Sequence, residues 1–469
     1  MSDIRRMFGK QVAKGLVAVV ATFCVCANSL AAKPPMDPGV RGGVAGAGGP
    51  LQGLTADELA FFQDGLTRFA TIESVGAGAN SGLGPRFNSN SCLSCHAYPN
   101  VGGSSPGANP LIEVATFMGA RNTVPWFITA QGPVREARFK QGPNGIEDGS
   151  VHDLFVITGG SHAGECNIAQ PDFQPPGNPL TGQGGNPNVV FRIPTPIFGA
   201  GLIEAIPDAE ILANMAVDTH RKKPMGIYGH PNAHLAGNVN RNAADGTITR
   251  FGWKAQTNSL LMFSGEAYSI EMGVTNQLFP QEREESPDCV LGPTPEDASV
   301  FASPAPGEMA SDIVGFANFM RLLAPPAPAP DTLSTQRGRE AFISVGCALC
   351  HTPAFTTGRA IDSGSPSRPS AALSNQVVNL WSDLLLHHMG KDLSDGITQG
   401  AAGPDEFRTA PLWGLGQRIF FLHDGRTTDL LKAIEAHKSR DSEANRVIDQ
   451  FHRLRRESQQ DIVNFLRGL

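Results

Sequence analysis

The sequence predicts a mainly α-helical protein built from two related modules, with long loops, an inserted segment and little β structure. Three observations support this prediction: amphipathic helical patterns near both ends of the chain, a weak internal repeat, and 53 Gly plus 36 Pro among 469 residues. A chain of this length can form two or three domains, each with a sizeable core. The Gly and Pro content favours extended loops but stays below the level typical of disordered chains.

The first 32 residues have the pattern of an export signal. Four basic residues precede an apolar run at 15–27, and small residues near positions 31–32 offer a cleavage site. The run is too short to span a bilayer, and no other stretch approaches the required length. We therefore expect a periplasmic mature chain without a transmembrane anchor; the alternative is that the run remains as an anchor.

The net charge argues against nucleic acid as a partner. The full chain carries a formal charge of −7. Removing residues 1–32 takes away four bases and one acid, which leaves 33 basic and 43 acidic residues and a net charge of −10. A nucleic-acid-binding protein would need a basic surface instead.

Composition divides the mature chain at two Pro-rich stretches. The first, at 33–53, predicts a flexible linker, and the second, at 322–331, predicts a semi-rigid one. The expected organisation is an N-terminal module at 54–215, an intervening segment packed on both modules at 216–321, and a C-terminal module at 332–469.

Helical patterns begin each module and end the chain. Thr55 and Glu58 form a capping-box pattern ahead of an apolar face, and a second helical pattern at 332–342 runs into Cys347. The segment 429–436 also has a helical pattern. Near the C-terminus, Ser458 three residues before Asp461 predicts the start of the last helix.

A weak internal repeat relates the two modules. Gly65 and Phe69, four positions apart, precede the first cysteine pair, and Gly338 and Phe342, also four positions apart, precede the second. Further along, Phe-Arg at 191–192 is followed by Pro, Gly and Gly at 196, 199 and 201, and Phe-Arg at 407–408 is followed by the same residues at 411, 414 and 416.

The two cysteine pairs read CLSCH at 92–96 and CALCH at 347–351, the attachment signature of c-type haem. Two thiols three positions apart can each bond one vinyl group of the porphyrin, and the adjacent imidazole then ligates the iron. The predicted haem-attachment and iron-ligand residues are Cys92, Cys95 and His96 for the first haem, and Cys347, Cys350 and His351 for the second.

Other uses of paired cysteines fit less well. A zinc site would place two pairs about 15–20 residues apart, a redox pair would need a βαβ context, and a disulfide would not require the histidine. Cys24 and Cys26 are expected to leave with the signal. Cys166 and Cys289 remain, and in an oxidising compartment we favour a disulfide between them, with two buried thiols as the alternative.

The motifs together resemble the exported di-haem oxidoreductases, relatives of the bacterial di-haem cytochrome c peroxidases. Besides the two haem motifs, the resemblance covers most of 54–469 through the following segments: RIPTPIFGAGLIEAIPD at 192–208, RFGWKA at 250–255, EMGVTN at 271–276, DLLLHHMG at 383–390, and FRTAPLWGLG with FLHDGR within 407–426.

The resemblance implies an iron ligand beyond the signature histidines. In the wider superfamily the distal ligand of the second haem follows the HDG turn by about a dozen residues, and here that position is His437. The haem on His351 would then be a bis-histidine electron-transfer centre. An exposed helix histidine is the alternative interpretation.

For the first haem the resemblance implies a catalytic glutamate, and two acids lie in family motifs: Glu204 and Glu271. A carboxyl group against an apolar haem face can exchange a proton at neutral pH, although each could instead be a structural ion-pair partner. Met272 is a candidate distal ligand that would close this site. His387 and His423 are expected to orient loops or reach haem propionates.

The resemblance implies a periplasmic peroxidase. Hydrogen peroxide, a small-molecule oxidant, would be reduced at the first haem with electrons relayed through the second from an external protein, such as a small cytochrome or a cupredoxin. Calcium between the modules, as in some relatives, is a further candidate. Two alternatives stay open: a non-catalytic di-haem electron carrier, and an oxidase of an organic or protein substrate.

Overall fold

Helices form the framework of the protein, and its strands are short. The computed structural model describes residues 33–74, 82–117, 128–142, 145–152, 155–156, 188–233, 248–282, 293–302, 310–362 and 365–469. The predicted mainly helical class is confirmed. The export segment and the predicted pair Cys166 and Cys289 lie outside the described residues.

Eight helices are described in the first part of the chain. They are α1 (Ala56–Ala70), α2 (Cys92–Cys95), α3 (Leu111–Phe117), α4 (Ala200–Glu204), α5 (Asp208–Ala216), α6 (Thr219–Met225), α7 (Leu260–Glu271) and α8 (Asp312–Leu322). The C-terminal end of α1 lies near the first haem motif, and the C-terminal end of α7 borders the adjacent cavity.

The second part has the same pattern of a long helix before the haem motif and another at its end. Its helices are α9 (Leu333–Val345), α10 (Leu430–Glu435), α11 (Asn445–Arg453) and α12 (Arg456–Gly468), with 3₁₀ turns at Cys347–Leu349 and Leu415–Gln417.

The strands pair antiparallel in small sheets around this helical framework. Three strands form the order β3-β2-β5, from β2 (Glu136–Phe139), β3 (Val151–His152) and β5 (Val189–Arg192). The others form two-stranded pairs: β1 (Arg86–Phe87) with β4 (Phe155–Val156), β6 (Asn232–Ala233) with β7 (Ile248–Thr249), β8 (Phe355–Thr356) with β11 (Val377–Val378), β9 (Ile361–Asp362) with β10 (Ser365–Pro369), and β12 (Leu386–His388) with β13 (Glu406–Arg408).

The first glycine of each repeat lies where two helices cross. α1 crosses α8 at Gly65, where a Cβ would overlap the Gly315 carbonyl oxygen and the side chain of Phe319. α9 crosses α12 at Gly338, where a Cβ would overlap the Asp461 carbonyl oxygen. Glycine is therefore required in both places because the helix backbones touch.

Gly201 and Gly416, which also belong to the internal repeat, occupy matching positions in the two halves. A Cβ at Gly201 would overlap the Arg321 carbonyl at the end of α8, and a Cβ at Gly416 would overlap the Arg467 carbonyl at the end of α12. The repeat in the sequence thus preserves the contacts of a closely packed backbone.

The helix starts agree with the sequence except at the C-terminus. Thr55 and Glu58 form the predicted capping box of α1. The prediction that Ser458 starts the last helix is wrong: α12 begins at Arg456, with Arg455 as N-cap. Asp461 instead accepts hydrogen bonds from Ser334 and Arg337 of α9, at 2.5 and 2.8 Å.

The segment predicted as a flexible linker at 33–53 is packed against the body of the protein, which corrects that expectation. Asp37 pairs with Arg467 at 2.6 Å, and Leu51 N–H donates to the Leu322 carbonyl at 2.8 Å. The same segment runs beside the Pro-rich stretch, whose Ala324 and Ala327 donate backbone hydrogen bonds to it. This segment lacks helices and longer strands, and contacts with distant parts of the chain hold it in place.

Residues Pro35–Leu469 form one compact unit. The largest apolar cluster lies between α1, α4, α7 and α8, and a second lies between α9, α10 and α12. Each cluster borders one haem motif. None of the described helices has the length and apolar composition needed to cross a membrane.

Candidate functional site

Each haem motif forms one tight turn; the second follows α9 directly, whereas β1 and its loops separate the first from α1. His96 N–H donates to the Cys92 carbonyl at 3.0 Å, and His351 N–H donates to the Cys347 carbonyl at 2.9 Å. All four cysteines of the two motifs are half-buried free thiols. The turns therefore place Cys95 and His96 beside one cavity, and Cys347, Cys350 and His351 beside another.

The two histidines are held in the same way. Nδ1 of His96 lies 3.0 Å from the Gly103 carbonyl oxygen, and Nδ1 of His351 lies 3.0 Å from the Trp381 carbonyl oxygen. With the proton on Nδ1, each ring keeps the lone pair of Nε2, which is the form a metal ligand requires. Phe69 and Phe342 each pack at 6.1 Å from the corresponding imidazole, measured between ring centroids.

Burial keeps both imidazoles neutral. It lowers the pKa of His96, although the carbonyl groups of Gly103 and Thr195 oppose the shift. Burial, together with the nearby His437, lowers the pKa of His351 to about 4. A neutral imidazole at physiological pH is available as a ligand without the loss of a proton.

The C-terminal cavity brings together the two histidines that the sequence assigned to the second haem. Both His351 and His437 line it, and it contains about 1360 Å³ free of protein atoms, its open mouth included. Nδ1 of His437 donates to the Ala433 carbonyl at 2.8 Å, and burial lowers the pKa of the ring. His437 therefore has the same neutral form as His351, with Nε2 available.

The wall of the C-terminal cavity is mostly apolar, as a porphyrin face requires. It includes the side chains of the following residues: Phe342, Leu412, Leu415, Phe421, Leu430, Ile434, Val447 and Leu466.

Two arginines in this wall are incompletely paired among the described residues. Nη1 of Arg408 and Nη2 of Arg418 are buried without a hydrogen-bond partner. Burial lowers the pKa of each guanidinium to about 10, so both remain charged at neutral pH. Buried donors of this kind are normally satisfied, and the two propionate carboxylates of a haem fit them. The residues present are thus compatible with haem in this cavity.

The N-terminal cavity differs in its polar lining. Glu271 lines it together with Cys95 and His96, and the Glu136–Arg138 ion pair, at 2.7 Å, forms another part of its wall. Burial first, and the negative charge of Glu136 second, raise the pKa of Glu271 to about 8. A carboxyl group beside His96 can therefore hold or release a proton near neutral pH.

Glu204, the other predicted acid, lies outside the lining of both cavities. Its carboxylate pairs with Arg321 of α8 at 2.7 Å and accepts the Leu260 N–H of α7 at 2.8 Å. These contacts connect three helices, so the geometry of Glu204 is that of a structural ion-pair partner.

Met272 is buried beside the first haem motif. Its sulfur lies 4.0 Å from Sγ of Cys92, and the residue does not appear in the lining of the N-terminal cavity. The sulfur of Met272 is thus near the Cys92 thiol and not across the cavity from His96.

The remaining histidines of the family motifs occupy polar or stacking positions. His387 lies between Asp383 and Glu443, at 2.9 and 2.7 Å. Burial opposes its charged form, but Cys350 and Asp383 outweigh burial and raise the pKa of His387 well above the ordinary value. His423 stacks on Phe407 with ring centroids 4.4 Å apart. Both line the C-terminal cavity.

Trp253 lines both cavities. Its Nε1–H donates to the Ile193 carbonyl at 2.9 Å, and the Arg418 guanidinium lies 5.6 Å from its ring. Among the described residues, Trp253 is therefore the one whose side chain borders both candidate haem sites.

The sequence did not single out Arg408, Arg418 or the Glu136–Arg138 pair. Arg408 lies inside a family motif and repeats the position of Arg192, which is a signal that could have identified it. Glu136 and Arg138 belong to a strand without a motif, so only the fold reveals their position beside Glu271.

The paired motifs, the neutral imidazoles and the unsatisfied arginines define a haem-containing redox protein. The chain belongs to the family described as "Di-haem oxidoreductase, putative peroxidase", whose model matches residues 186–469. The match includes the second haem motif and His437, and the first haem motif lies ahead of it.

Solved structures with a detectable likeness are distant. Hydrazine synthase from Kuenenia stuttgartiensis, in a xenon-pressurised crystal, is 13% identical with a TM-score of 0.36, covering 98% of this chain and all of that one. A MauG-like protein associated with microbial copper homeostasis is 18% identical with a TM-score of 0.24, covering 36% of this chain and 55% of that one. No curated protein matches the chain.

Proposed function

We propose that this protein is a periplasmic di-haem c-type peroxidase that reduces hydrogen peroxide at the N-terminal haem. One observation carries the proposal: the two candidate haem cavities are chemically unlike. The half-buried Glu271 lines one of them together with His96, whereas a second neutral histidine, His437, lines the other together with His351. The N-terminal cavity therefore suits proton-coupled chemistry, and the C-terminal cavity suits electron transfer alone.

Haem would be attached through the thiols of each motif, at Cys92 and Cys95 and at Cys347 and Cys350. The bound haem supplies reversible one-electron chemistry and, where its iron keeps an open position, binds the oxidant. His96 and His351 would be the proximal ligands, and His437 would complete the second site. Arg408 and Arg418 would hold the propionates of the C-terminal haem.

Glu271 would move the protons of the reaction. It would first accept a proton from peroxide and then return it to the leaving oxygen, so that each peroxide, two electrons and two protons give two water molecules. The Glu136–Arg138 pair would set the proton affinity of Glu271 through its charges.

Electrons would enter at the C-terminal site from an external cytochrome or cupredoxin. Trp253 supports a route between the sites because its ring lines both cavities. The matched helix crossings support two cytochrome c-like modules, one beginning at 54 and one at 332–469. Since α8 (Asp312–Leu322) forms the first crossing with α1, the N-terminal module would include α8 besides 54–215, with the rest of the segment 216–321 packed on both modules. The export pattern at 1–32 supports a periplasmic location.

The oxidised protein, as purified with haem, provides the test by visible and EPR spectroscopy. We expect one low-spin bis-histidine haem and one high-spin haem, the latter present either in the purified protein or after one-electron reduction. The spectrum of the high-spin haem should change when hydrogen peroxide is added. Two permanently low-spin haems that peroxide does not change would instead identify an electron carrier.

Covalent attachment has its own test. Cys95→Ala and Cys350→Ala should each reduce the haem that stays with the denatured chain, and Met36→Ala, at an exposed position, is the control. Two normally attached haems in either cysteine variant would refute the assignment.

A further inference from the structure

Tyr268 is a buried tyrosine connected to the N-terminal site by a continuous series of aromatic contacts. It lies on α7, one turn before Glu271, and is 3% exposed. Its ring contacts Phe316 at 5.1 Å, Phe316 contacts Phe69 at 6.4 Å, and Phe69 contacts the His96 ring at 6.1 Å, all between centroids. This series connects the phenol to the candidate ligand of the first haem.

The hydroxyl of Tyr268 has a proton acceptor in place. It donates to Oδ2 of Asp312 at 3.1 Å, and the other oxygen of Asp312 pairs with Arg68 at 2.5 Å. Arg68 in turn pairs with Asp64, which is one-third exposed. A proton received by Asp312 would therefore be close to a charged network that reaches the surface.

The electrostatic surroundings favour removal of an electron from this ring. Burial and the negative charges of Asp312, Glu73 and Asp297 raise the pKa of Tyr268 well above its ordinary value, so the phenol keeps its proton at neutral pH. The same negative charges stabilise a ring that has lost an electron, and the hydrogen bond to Asp312 allows the proton to leave with it.

We propose that Tyr268 is a redox-active residue that supplies one electron to the N-terminal site through Phe316 and Phe69 while its proton passes to Asp312. The proposal rests on the peroxidase function proposed above, because hydrogen peroxide is the oxidant. Peroxide takes up two electrons and two protons to give two water molecules; Tyr268 supplies one electron and the external donor supplies the other.

The step changes only one bond in the tyrosine. The O–H bond breaks, the proton binds Oδ2 of Asp312, and the ring is left as a neutral phenoxyl radical. An electron from the external donor and the proton on Asp312 then restore the phenol. Tyr268 would thus hold one oxidising equivalent whenever peroxide arrives before the donor.

The small number of tyrosines makes a sharp experiment possible. The chain has three, and in the variant Tyr98→Phe/Tyr228→Phe, Tyr268 is the one that remains. This haem-loaded parent and the tyrosine-free variant that adds Tyr268→Phe are mixed with stoichiometric hydrogen peroxide and frozen. EPR spectra and peroxide consumption are recorded on the same samples, and urea unfolding checks that the added substitution preserves the fold.

We expect a tyrosyl radical in the parent and its loss in the tyrosine-free variant. Asp312→Asn should reduce the radical yield at least about tenfold, and Asp312→Glu should restore it. Peroxide consumption without a tyrosyl signal in the parent would overturn the proposal, and so would the same signal in the tyrosine-free variant.

A second oxidant separates this proposal from the peroxidase function. If peroxide is not consumed, the proposed function fails, and photogenerated tris(bipyridine)ruthenium(III) replaces peroxide as a one-electron oxidant. A radical in the parent that is reduced about tenfold by Asp312→Asn would still support Tyr268. Absence of that radical would overturn the proposal in this arm too.

Discussion

At the scale of single residues, surroundings separate two glutamates that look alike in the sequence. Glu204 has a guanidinium and a backbone N–H as partners, which hold its carboxylate in a fixed structural position. Glu271 lies in a cavity near another carboxylate, Glu136, and burial disfavours its charged form. The same side chain therefore serves structure in one place and suits proton transfer in the other.

Glu271→Gln should lower the rate of peroxide reduction about a hundredfold or more while both haems stay bound, because the amide can neither accept nor donate the required proton. Steady-state peroxide consumption per haem measures the effect. Glu204→Gln should instead lower the free energy of unfolding by about 2–3 kcal/mol, since it breaks a buried ion pair. Equal losses of turnover in both variants would contradict the assignment to Glu271.

The pH profile of the same reaction should follow the carboxyl group of Glu271. Its pKa of about 8 means that the proton-accepting carboxylate becomes the major form only above that pH. We expect kcat/KM for peroxide to rise with pH through about 8 and then level off. Glu136→Gln removes a negative charge that raises this pKa, so the midpoint should move to lower pH. An unchanged midpoint would show that another group controls the profile.

His437→Ala should convert the C-terminal haem from a low-spin to a high-spin form by removing its second imidazole. EPR and visible spectra report the change directly. His452→Ala is a matched control, because His452 is an exposed histidine on the neighbouring α11 that pairs with Glu435. A spectrum unchanged in His437→Ala would exclude His437 as the ligand.

At the scale of secondary-structure elements, each haem motif depends on a pair of crossed helices. α1 and α8 carry Phe69 and Phe319, whose rings lie 4.8 Å apart, and α9 and α12 carry Phe342 and Phe465 at 5.5 Å. Phe69 and Phe342 contact the rings of His96 and His351, so each crossing fixes the position of one imidazole. The glycines at the crossings are what allow this close approach.

Gly65→Ala and Gly338→Ala should each lower the free energy of unfolding by about 1–3 kcal/mol, because the added methyl group would overlap a backbone carbonyl that cannot move away. Urea unfolding followed by circular dichroism measures the loss. Gly42→Ala is the control, since no atom lies within 4 Å of the new Cβ. Unchanged stability at Gly65 and Gly338 would mean that the helices separate easily.

At the scale of the whole molecule, a buried charge network joins three parts of the chain. Arg192 precedes the inserted segment, Lys254 lies within it, and Asp395 belongs to the C-terminal part. Asp395 pairs with Arg192 at 2.6 Å and with Lys254 at 3.2 Å, and all three side chains are almost completely buried. Such a network fixes how these parts fit together, because none of the charges can be left alone.

Arg192→Met should destabilise the protein by about 3–5 kcal/mol, since it removes one of the two cations that pair with buried Asp395. Burial opposes the charge of Asp395, but Arg192 and Lys254 outweigh it and hold its pKa below the ordinary 3.8. The stabilisation from ionised Asp395 is complete above pH 3.8 and is lost as pH falls through the lower folded-state pKa.

The difference in stability between Arg192→Met and the wild type should therefore narrow below about pH 4. Denaturation at a series of pH values measures it. Lys438→Ala, which breaks a solvent-exposed pair with Asp449, is the control and should have no measurable effect. A difference that stays constant down to pH 2 would contradict a role for ionised Asp395.

The sequence by itself determined the features that depend on neighbouring residues. The haem motifs span five residues each, the helices that precede them have local apolar patterns, and the family motifs identified the chain as a di-haem oxidoreductase. The glycines of the internal repeat were visible as well, although their reason was not. Local spacing carries this information because one turn of chain places both thiols and the imidazole together.

Only the tertiary structure decided which distant groups meet. In the folded chain Glu271 lines the cavity of His96, whereas Glu204 pairs with Arg321. No local sequence pattern predicts this difference between the two glutamates. The tertiary structure also placed Tyr268 against Asp312 and packed the segment 33–53 on the body of the protein. The physical reason is that burial and charge pairing depend on contacts between residues far apart in sequence, and these exist only once the helices cross.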